Sequence, residues 1–114
     1  MRSHVGGFYL PAAEQERSKL PGTERAAIDN AVEKLQNLGP QLPYPHSSAV
    51  RGADRLRELR PRAGHCRWRP LYRRVDECFV IAAIAPEGGN DPRGFRRASE
   101  QAEQRLTEIE EHQE

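Results

Sequence analysis

The residues of this sequence that are most suited to binding or catalysis are arginines clustered in its middle. Between positions 51 and 74 the chain carries nine of its 18 basic residues, all of them arginines, and only Asp54 and Glu58 oppose them. A guanidinium group keeps its charge when it is partly buried and donates paired hydrogen bonds to phosphate oxygens. The local excess of seven positive charges predicts a phosphate-binding surface, although the net charge of the whole chain is only +1.

The same pattern has a second interpretation. The chain contains 17 acidic residues, and those in the predicted helices could neutralise the arginines through salt bridges on a solvated sheet face. A GC-rich genome would also favour arginine over lysine without any function. The residue pattern favours phosphate recognition, because the excess of charge within the stretch is large.

Three predicted strands position these arginines. Residues 55–60 lie between turn signals and indicate one strand, with residues 61–65 as the following turn. The next strand covers residues 66–73, and the apolar run at residues 78–85 is suited to a buried central strand. The short connections predict an antiparallel meander.

The middle strand alternates between two faces. Trp68 and Tyr72 share one face and are expected in the core, while Pro70 on the same face predicts an edge or a bulge because proline cannot donate to a ladder. The opposite face is expected to be cationic. It carries Arg67, Arg69 and Arg73, with Arg60 alongside on the preceding strand.

The hairpin turn sets the expected register of the last two strands. A turn at residues 74–76 would place Arg69 opposite Ile81. In that register the two cysteines, Cys66 and Cys78, are not opposite each other, and we expect both to remain free thiols. Their spacing also lacks the pattern of a zinc or redox pair, so no metal site is expected.

Helices flank this sheet in the sequence. Residues 5–10 predict a first edge strand and residues 12–20 a polar helix, followed by the clearest helix, which Thr23 is expected to cap and Gly39 to end. Residues 41–49, which contain two prolines and two serines, predict an extended connector. Two apolar stripes at helical spacing support the assignments: Ala27, Ile28, Ala31, Val32, Leu35 and Leu38 in the clearest helix, and Phe95, Ala98, Ala102, Leu106 and Ile109 in a terminal helix.

Length and composition predict one domain covering residues 1–114. The sequence is 36% hydrophobic and 31% charged, with a mean hydropathy of −0.88, but its apolar residues are clustered enough for a core. No window has the length of apolar sequence that a membrane span requires, and the N-terminus lacks the apolar centre of a signal peptide. The expected compartment is the cytoplasm.

A cationic sheet could also support catalysis. Arginines could stabilise the charge that develops on an RNA phosphodiester during attack by its own 2′-hydroxyl, a reaction that requires neither metal nor cofactor. The reaction would benefit from a group that exchanges a proton, for which Tyr72, His65 and Glu87 are candidates. The alternation argues against Tyr72, because it lies on the face opposite Arg69.

The order of several short motifs resembles a known family. LRELRPRAG is followed by RPLYRR, the apolar strand FVIAAIA and a terminal helix with FRRASEQAEQRL. This series is similar to RelE/HigB-type toxins of bacterial type II toxin–antitoxin systems, especially the phage-derived HigB-like branch. The resemblance covers roughly residues 5–107 and rests on the order and spacing of the motifs.

The resemblance implies an α+β fold in which an N-terminal helical pair packs on a small, mainly antiparallel twisted sheet, with a C-terminal helix. It implies a ribosome-dependent endoribonuclease that cuts mRNA and is neutralised by a cognate antitoxin, expected to be a small helix-turn-helix protein. Arg69 matches the arginine of the R-x-x-Y strand motif that binds the scissile phosphate, and Arg60 matches a basic residue of the preceding strand. Further phosphate contacts are expected from Arg57, Arg62, Arg67 and Arg73.

The chain departs from the family pattern after its apolar strand. Pro86 and Glu87 stand where many relatives carry a lysine pair, and no C-terminal tyrosine or histidine matches their acid–base groups. Phosphate binding is therefore a firmer expectation than cleavage. The alternatives are a non-catalytic module of the same fold, either gyrase-directed and ParE-like or an RNA-binding phage relic, and a chain that only pairs with a partner protein.

Overall fold

The computed structural model describes residues 6–53 and 55–111 of the chain. Its strands and helices follow one another in the order β1, α1, α2, β2, β3, β4, β5 and α3. The strands are β1 Gly6–Tyr9, β2 Ser47–Ala49, β3 Arg57–Leu59, β4 Trp68–Val75 and β5 Cys78–Pro86. The α-helices are α1 Pro11–Ser18, α2 Gly22–Leu38 and α3 Pro92–Glu111, and 3-10 turns cover Gly39–Gln41 and Pro61–Gly64.

The strands form one sheet in the order β1-β5-β4-β3-β2. β1 runs parallel to β5, and the other three pairings are antiparallel. Helix α2 packs against β1, β4 and the Pro61–Gly64 turn, whereas α3 packs against β4 and β5. The predicted α+β architecture, with a helical pair before a mainly antiparallel sheet and a helix after it, is confirmed. The predicted edge strand is β1, although Val5 lies outside the described residues.

Helix α2 forms as its apolar stripe predicts, but its start differs from the prediction. The residues that bury its inner face are Ala27, Ile28, Val32 and Leu35. The helix begins at Gly22, with Pro21 in the N-cap position, so the predicted capping role of Thr23 is wrong. Gly39 ends the helix with a φ of +61°, a conformation that glycine adopts at little cost.

The predicted register between β4 and β5 is also wrong. Val75 pairs with Cys78 across a turn in which Asp76 has a φ of +56°, and Arg69 therefore lies opposite Ala85. The ladder shifts between Leu71 and Tyr72, one residue beyond Pro70, close to where the proline indicated an irregularity. Both cysteines are free, as predicted.

The stripe of α3 packs as predicted. Ala98, Ala102 and Leu106 are buried, and Phe95 and Ile109 pack against the core at its margin. None of the helices in the described part of the chain is both long and apolar enough to span a membrane.

Candidate functional site

Arg60 and Arg69, the two arginines of the sequence motifs, converge on one carboxylate. Glu58 on β3 accepts a hydrogen bond from Nη1 of Arg60 at 3.0 Å, and its same oxygen lies 3.3 Å from Nε of Arg69 on β4. The antiparallel pairing of β3 with β4 brings these side chains to the same end of the sheet. The structure therefore places the two predicted residues in one cluster.

Arg69 is buried within this cluster. Its side chain is 3% exposed, and Nη2 forms an ion pair with Glu87 at 2.7 Å. The guanidinium also donates hydrogen bonds to the carbonyl oxygens of Cys66 and Gly64 in the turn before β4. Two carboxylates and two carbonyls thus surround one guanidinium, which neutralises its charge and fixes its position. The expectation that Arg69 lies on an open cationic face is wrong.

Arg73 is neutralised in a different way. Its side chain is 4% exposed and forms ion pairs with Glu103 at 2.7 Å and Glu110 at 3.1 Å, both on α3. Arg55 also contacts Glu110, at 3.1 Å. Acidic side chains of α3 therefore cover Arg73, one of the residues predicted to bind phosphate. For Arg73, the alternative interpretation of the arginine pattern is therefore correct: the arginine forms salt bridges to an acidic helix.

The other predicted phosphate contacts do not share one face. Nε of Arg57 donates to Oγ of Ser47 at 3.0 Å. Arg62 is exposed in the turn after β3, where Nη2 lies 3.5 Å from the carbonyl oxygen of Thr23. Arg67 is exposed and precedes β4, and its carbonyl oxygen accepts the amide of Glu87 at 2.8 Å. The predicted continuous cationic face is replaced by separate groups of arginines.

The three proton-exchange candidates lie in different surroundings. The hydroxyl of Tyr72 is buried 2.5 Å from Oγ of Ser47, and its ring packs edge-on against Phe79, which confirms its predicted place in the core. His65 is exposed, and its Nδ1 lies 2.8 Å from the carbonyl oxygen of Arg62. Glu87 is committed to its ion pair with Arg69.

Cys66, which precedes β4, is a buried structural thiol. Its Sγ donates to Oε2 of Glu24 at 3.0 Å, and burial raises the pKa of the thiol. A raised pKa disfavours the thiolate, the form that acts as a nucleophile or metal ligand. The structure therefore agrees with the structural interpretation of this cysteine.

A basic groove lies on the other side of Arg60. It is a cavity of about 240 Å³ between α2 and the end of β3, and its charged or titratable lining residues are Lys34, His46, Arg60 and Arg62. Its floor is apolar and includes Ala27, Ala31, Leu42 and Leu59. Among the described residues, no carboxylate lines this groove. Arg60 also lines a second cavity, of about 370 Å³, together with Glu58, Arg69 and Glu87, so the basic groove is the one of these two cavities that has no carboxylate among its described lining residues.

Sequence reasoning missed His46 and Lys34 as members of this groove. Residues 41–49 were interpreted as an extended connector, whereas Ser47–Ala49 forms β2 and pairs with β3. Had β2 been recognised, its pairing with β3 would have indicated that His46 lies opposite Arg60. The amide of Arg60 indeed donates to the carbonyl oxygen of His46 at 2.9 Å.

Residues 15–84 match the family described as phage-derived protein Gp49-like, which is more than half of the chain. The chain belongs to the Gp49-like family. The matched residues run from α1 to β5 and include both arginines of the cluster, and no curated protein matches this Gp49-like chain.

Among solved structures, the Gp49-like chain is similar to the Escherichia coli toxin RelE, in a double arginine-to-alanine mutant in the free state. The TM-score is 0.64 at 13% identity, covering 87% of this chain and 97% of that one. At this identity the likeness concerns the fold. The resemblance to RelE/HigB-type proteins is confirmed by the family and by the fold.

Proposed function

We propose that this chain is the toxin of a type II toxin–antitoxin system and cleaves ribosome-bound mRNA without a metal. One observation carries the proposal: within a RelE fold, Arg60 and Arg69 converge on Glu58 at the margin of a groove lined by cations. The proposed partners are the ribosome, its mRNA and a cognate antitoxin, and the proposed compartment is the cytoplasm. The expectation of a helix-turn-helix antitoxin stays a prediction.

The two arginines have different roles in this proposal. The side chain of Arg60 is 21% exposed and faces the basic groove, so its free donors can contact an RNA phosphate. Arg69 is enclosed by Glu58, Glu87 and two carbonyls, so it acts by positioning. It fixes Glu58, which in turn orients the guanidinium of Arg60. Arginine donors that are fixed before the reaction stabilise developing phosphate charge without reorganising.

A second function, binding without cleavage, is favoured by one specific observation. Glu58 and Glu87 together balance the charges of Arg60 and Arg69, so the cluster itself carries no excess positive charge. A module of this kind could still bind RNA through the basic groove, or act on gyrase. The two functions differ in whether mRNA is cut.

Induced expression followed by mapping of mRNA 5′ ends tests the proposal. Arg60→Ala is the informative variant, because Arg69 is buried and its loss would leave Glu87 without its ion-pair partner and Glu58 with Arg60 alone. We expect growth arrest and new 5′ ends with the wild type, and at least a tenfold loss of both with Arg60→Ala. The matched control is Arg97→Ala, which removes an exposed arginine from α3 and should behave like the wild type.

The outcomes separate the candidates. Growth arrest without new mRNA ends would contradict cleavage and favour the binding function, with DNA supercoiling as the next assay. If Arg60→Ala arrests growth and cleaves mRNA as well as the wild type does, the proposed phosphate contact of Arg60 is wrong. If the wild type has no effect on growth, the toxin proposal is wrong.

A further inference from the structure

We infer that His46 is the residue that exchanges a proton with RNA in the basic groove formed with Lys34, Arg60 and Arg62. This inference rests on the proposed endoribonuclease function and adds the catalytic group that the sequence motifs lack. The ligand is a single-stranded RNA segment, whose phosphate would face the cations while its ribose would face the imidazole.

The fold builds this groove from four separate segments. Ala27 and Ala31 on α2 have short side chains that leave space above Leu59, and Lys34 lies one turn further along the same helix. His46 directly precedes β2, and the turn after β3 supplies Arg62. The cavity volume of about 240 Å³ is below the roughly 300–1,000 Å³ typical of small-molecule pockets, so it suits one part of a nucleotide.

His46 is fixed beside Arg60 by the backbone. The amide of Arg60 donates to the carbonyl oxygen of His46 at 2.9 Å, and Nε of Arg60 donates to the carbonyl oxygen of Pro45 at 2.9 Å. The guanidinium also lies over the ring of Tyr44, at 5.1 Å from its centroid. The arginine and the histidine are therefore constrained at neighbouring positions, which is the arrangement that a phosphate contact and a proton acceptor require.

The imidazole of His46 is available for chemistry. It is half-buried, and none of the side-chain hydrogen bonds found among the described residues involves its ring nitrogens. Histidine is the side chain that most often serves as a general acid or base. Of the candidates named from the sequence, the Tyr72 hydroxyl contacts Ser47 and Glu87 pairs with Arg69, while His65 is not among the residues that line the groove.

The charges around the groove also favour an anion. Its lining contributes three permanent cations and, among the described residues, no carboxylate. Glu58 contacts Nη1 of Arg60 from outside the lining. Among the described residues, Arg60 is the lining cation that forms an ion pair, so a phosphate in the groove would meet positive charge at Lys34 and Arg62.

The proposed step transfers one proton and exchanges one phosphorus–oxygen bond. A ring nitrogen of His46 accepts the proton of the ribose 2′-hydroxyl while the O2′–P bond forms. The P–O5′ bond breaks, and the leaving 5′-oxygen takes a proton from water. The imidazolium then returns its proton to the resulting hydroxide. The products are a 2′,3′-cyclic phosphate and a 5′-hydroxyl end, and nothing is oxidised or reduced.

The experiment compares cleavage with binding. Purified protein is mixed with programmed ribosomes carrying a model mRNA, and affinity for a short single-stranded RNA is measured by fluorescence anisotropy. We expect His46→Ala and His46→Gln to lose about 10²-fold to 10⁴-fold in cleavage rate, the range associated with a general acid–base group, while affinity changes little. Arg97→Ala, which removes an exposed arginine of α3 outside the groove lining, is the control and should cleave like the wild type.

Each outcome decides the inference. His46→Gln retains a polar side chain of similar size, and thermal unfolding at the wild-type temperature would show that this variant is folded. Cleavage within about threefold of the wild type by this variant would overturn the role of His46 and leave the proposed function intact. Equal losses in cleavage and affinity would also overturn it, since they indicate binding alone. A wild-type protein that does not cleave would overturn the proposed function and this inference together.

Discussion

At the scale of single residues, each arginine acts according to the carboxylates that reach it. Arg69 and Arg73 both belong to β4, yet both are buried because Glu87 and Glu103 approach from later parts of the chain. Part of the Arg60 side chain remains exposed to solvent, because it has one carboxylate partner and lines a groove. The number of arginines in a stretch therefore overestimates the charge that is available to RNA.

The ion pair of Arg17 with Asp29 gives a residue-scale prediction about pH. Nε and Nη2 of Arg17 donate to the two carboxylate oxygens at 2.8 and 2.7 Å, and these bonds hold the pKa of Asp29 below its usual range. A carboxyl whose pKa is depressed by folding stabilises the protein above its unfolded pKa of about 3.9, and this contribution is lost as the pH falls through the folded value.

Asp29→Asn should therefore reduce the free energy of unfolding at pH 7 by no more than about 1 kcal/mol, because the Asp29 side chain is 47% exposed. The difference from the wild type should narrow at about pH 3, where the carboxyl of Asp29 becomes increasingly protonated. Urea unfolding of the variant and the wild type at pH 7 and at about pH 3 measures the two differences in the free energy of unfolding. Glu33→Gln, an exposed change on the same helix, is the control. A difference that is larger at low pH would contradict the assignment.

At the scale of elements, α3 begins with an N-terminal cap formed by Asp91 and Pro92. Oδ1 of Asp91 accepts the amide of Gly94 at 2.9 Å, and Pro92 occupies the first helical position. A β-carbon at position 94 would lie 2.8 Å from Cγ of Pro86, so glycine allows this close approach of α3 to the end of β5. The cap therefore sets where α3 starts relative to the sheet.

Asp91→Ala should reduce the free energy of unfolding by about 1 kcal/mol, since it leaves an amide of the first turn without its acceptor. Asp91→Asn keeps an acceptor in the same place and should lose much less. Urea unfolding of the two variants beside the wild type measures the difference. An alanine variant as stable as the asparagine variant would show that the side chain does not cap α3.

The local sequence predicts the long helices of this fold but not the short strand β2. The apolar spacing of α2 and α3 predicts both helices, because it records which face each one buries. The three-residue strand β2 has no such pattern, since Ser47 and Ser48 are polar and its pairing with β3 is decided by distant residues. His46 was missed for that reason. The ion pairs of Arg73 were missed because 30 or more positions separate it from Glu103 and Glu110.

At the scale of the whole molecule, internal ion pairs link the elements. Arg73 joins β4 to α3, and Arg105 on α3 donates to Glu16 on α1 at 3.1 Å and to the carbonyl oxygen of Ala82 at 2.7 Å. Glu16 in turn accepts the amide of Ile84 at 3.0 Å, on β5 beyond its pairing with β1. Much of the basic charge of the chain is thus used to assemble the fold.

This use of charge predicts how RNA affinity depends on salt. If RNA contacts only Lys34, Arg60 and Arg62 in the basic groove, the logarithm of the association constant should fall against the logarithm of the salt concentration with a slope of about −2, since each neutralised phosphate of a single strand contributes about −0.7. If all nine arginines of residues 51–74 met phosphates, the slope would be about −6. Fluorescence anisotropy with a short single-stranded RNA over a series of potassium chloride concentrations measures it.

Two variants connect the slope to particular residues. Arg62→Ala removes an exposed cation from the groove, so it should weaken binding and reduce the magnitude of the slope by about 0.7. Arg97→Ala, on the surface of α3, should leave both the affinity and the slope unchanged. A wild-type slope near −6 would mean that RNA displaces Glu103 and Glu110 from Arg73, and the basic groove would then be only part of the binding surface. A slope near −2 that Arg62→Ala does not change would place the bound phosphates away from the groove.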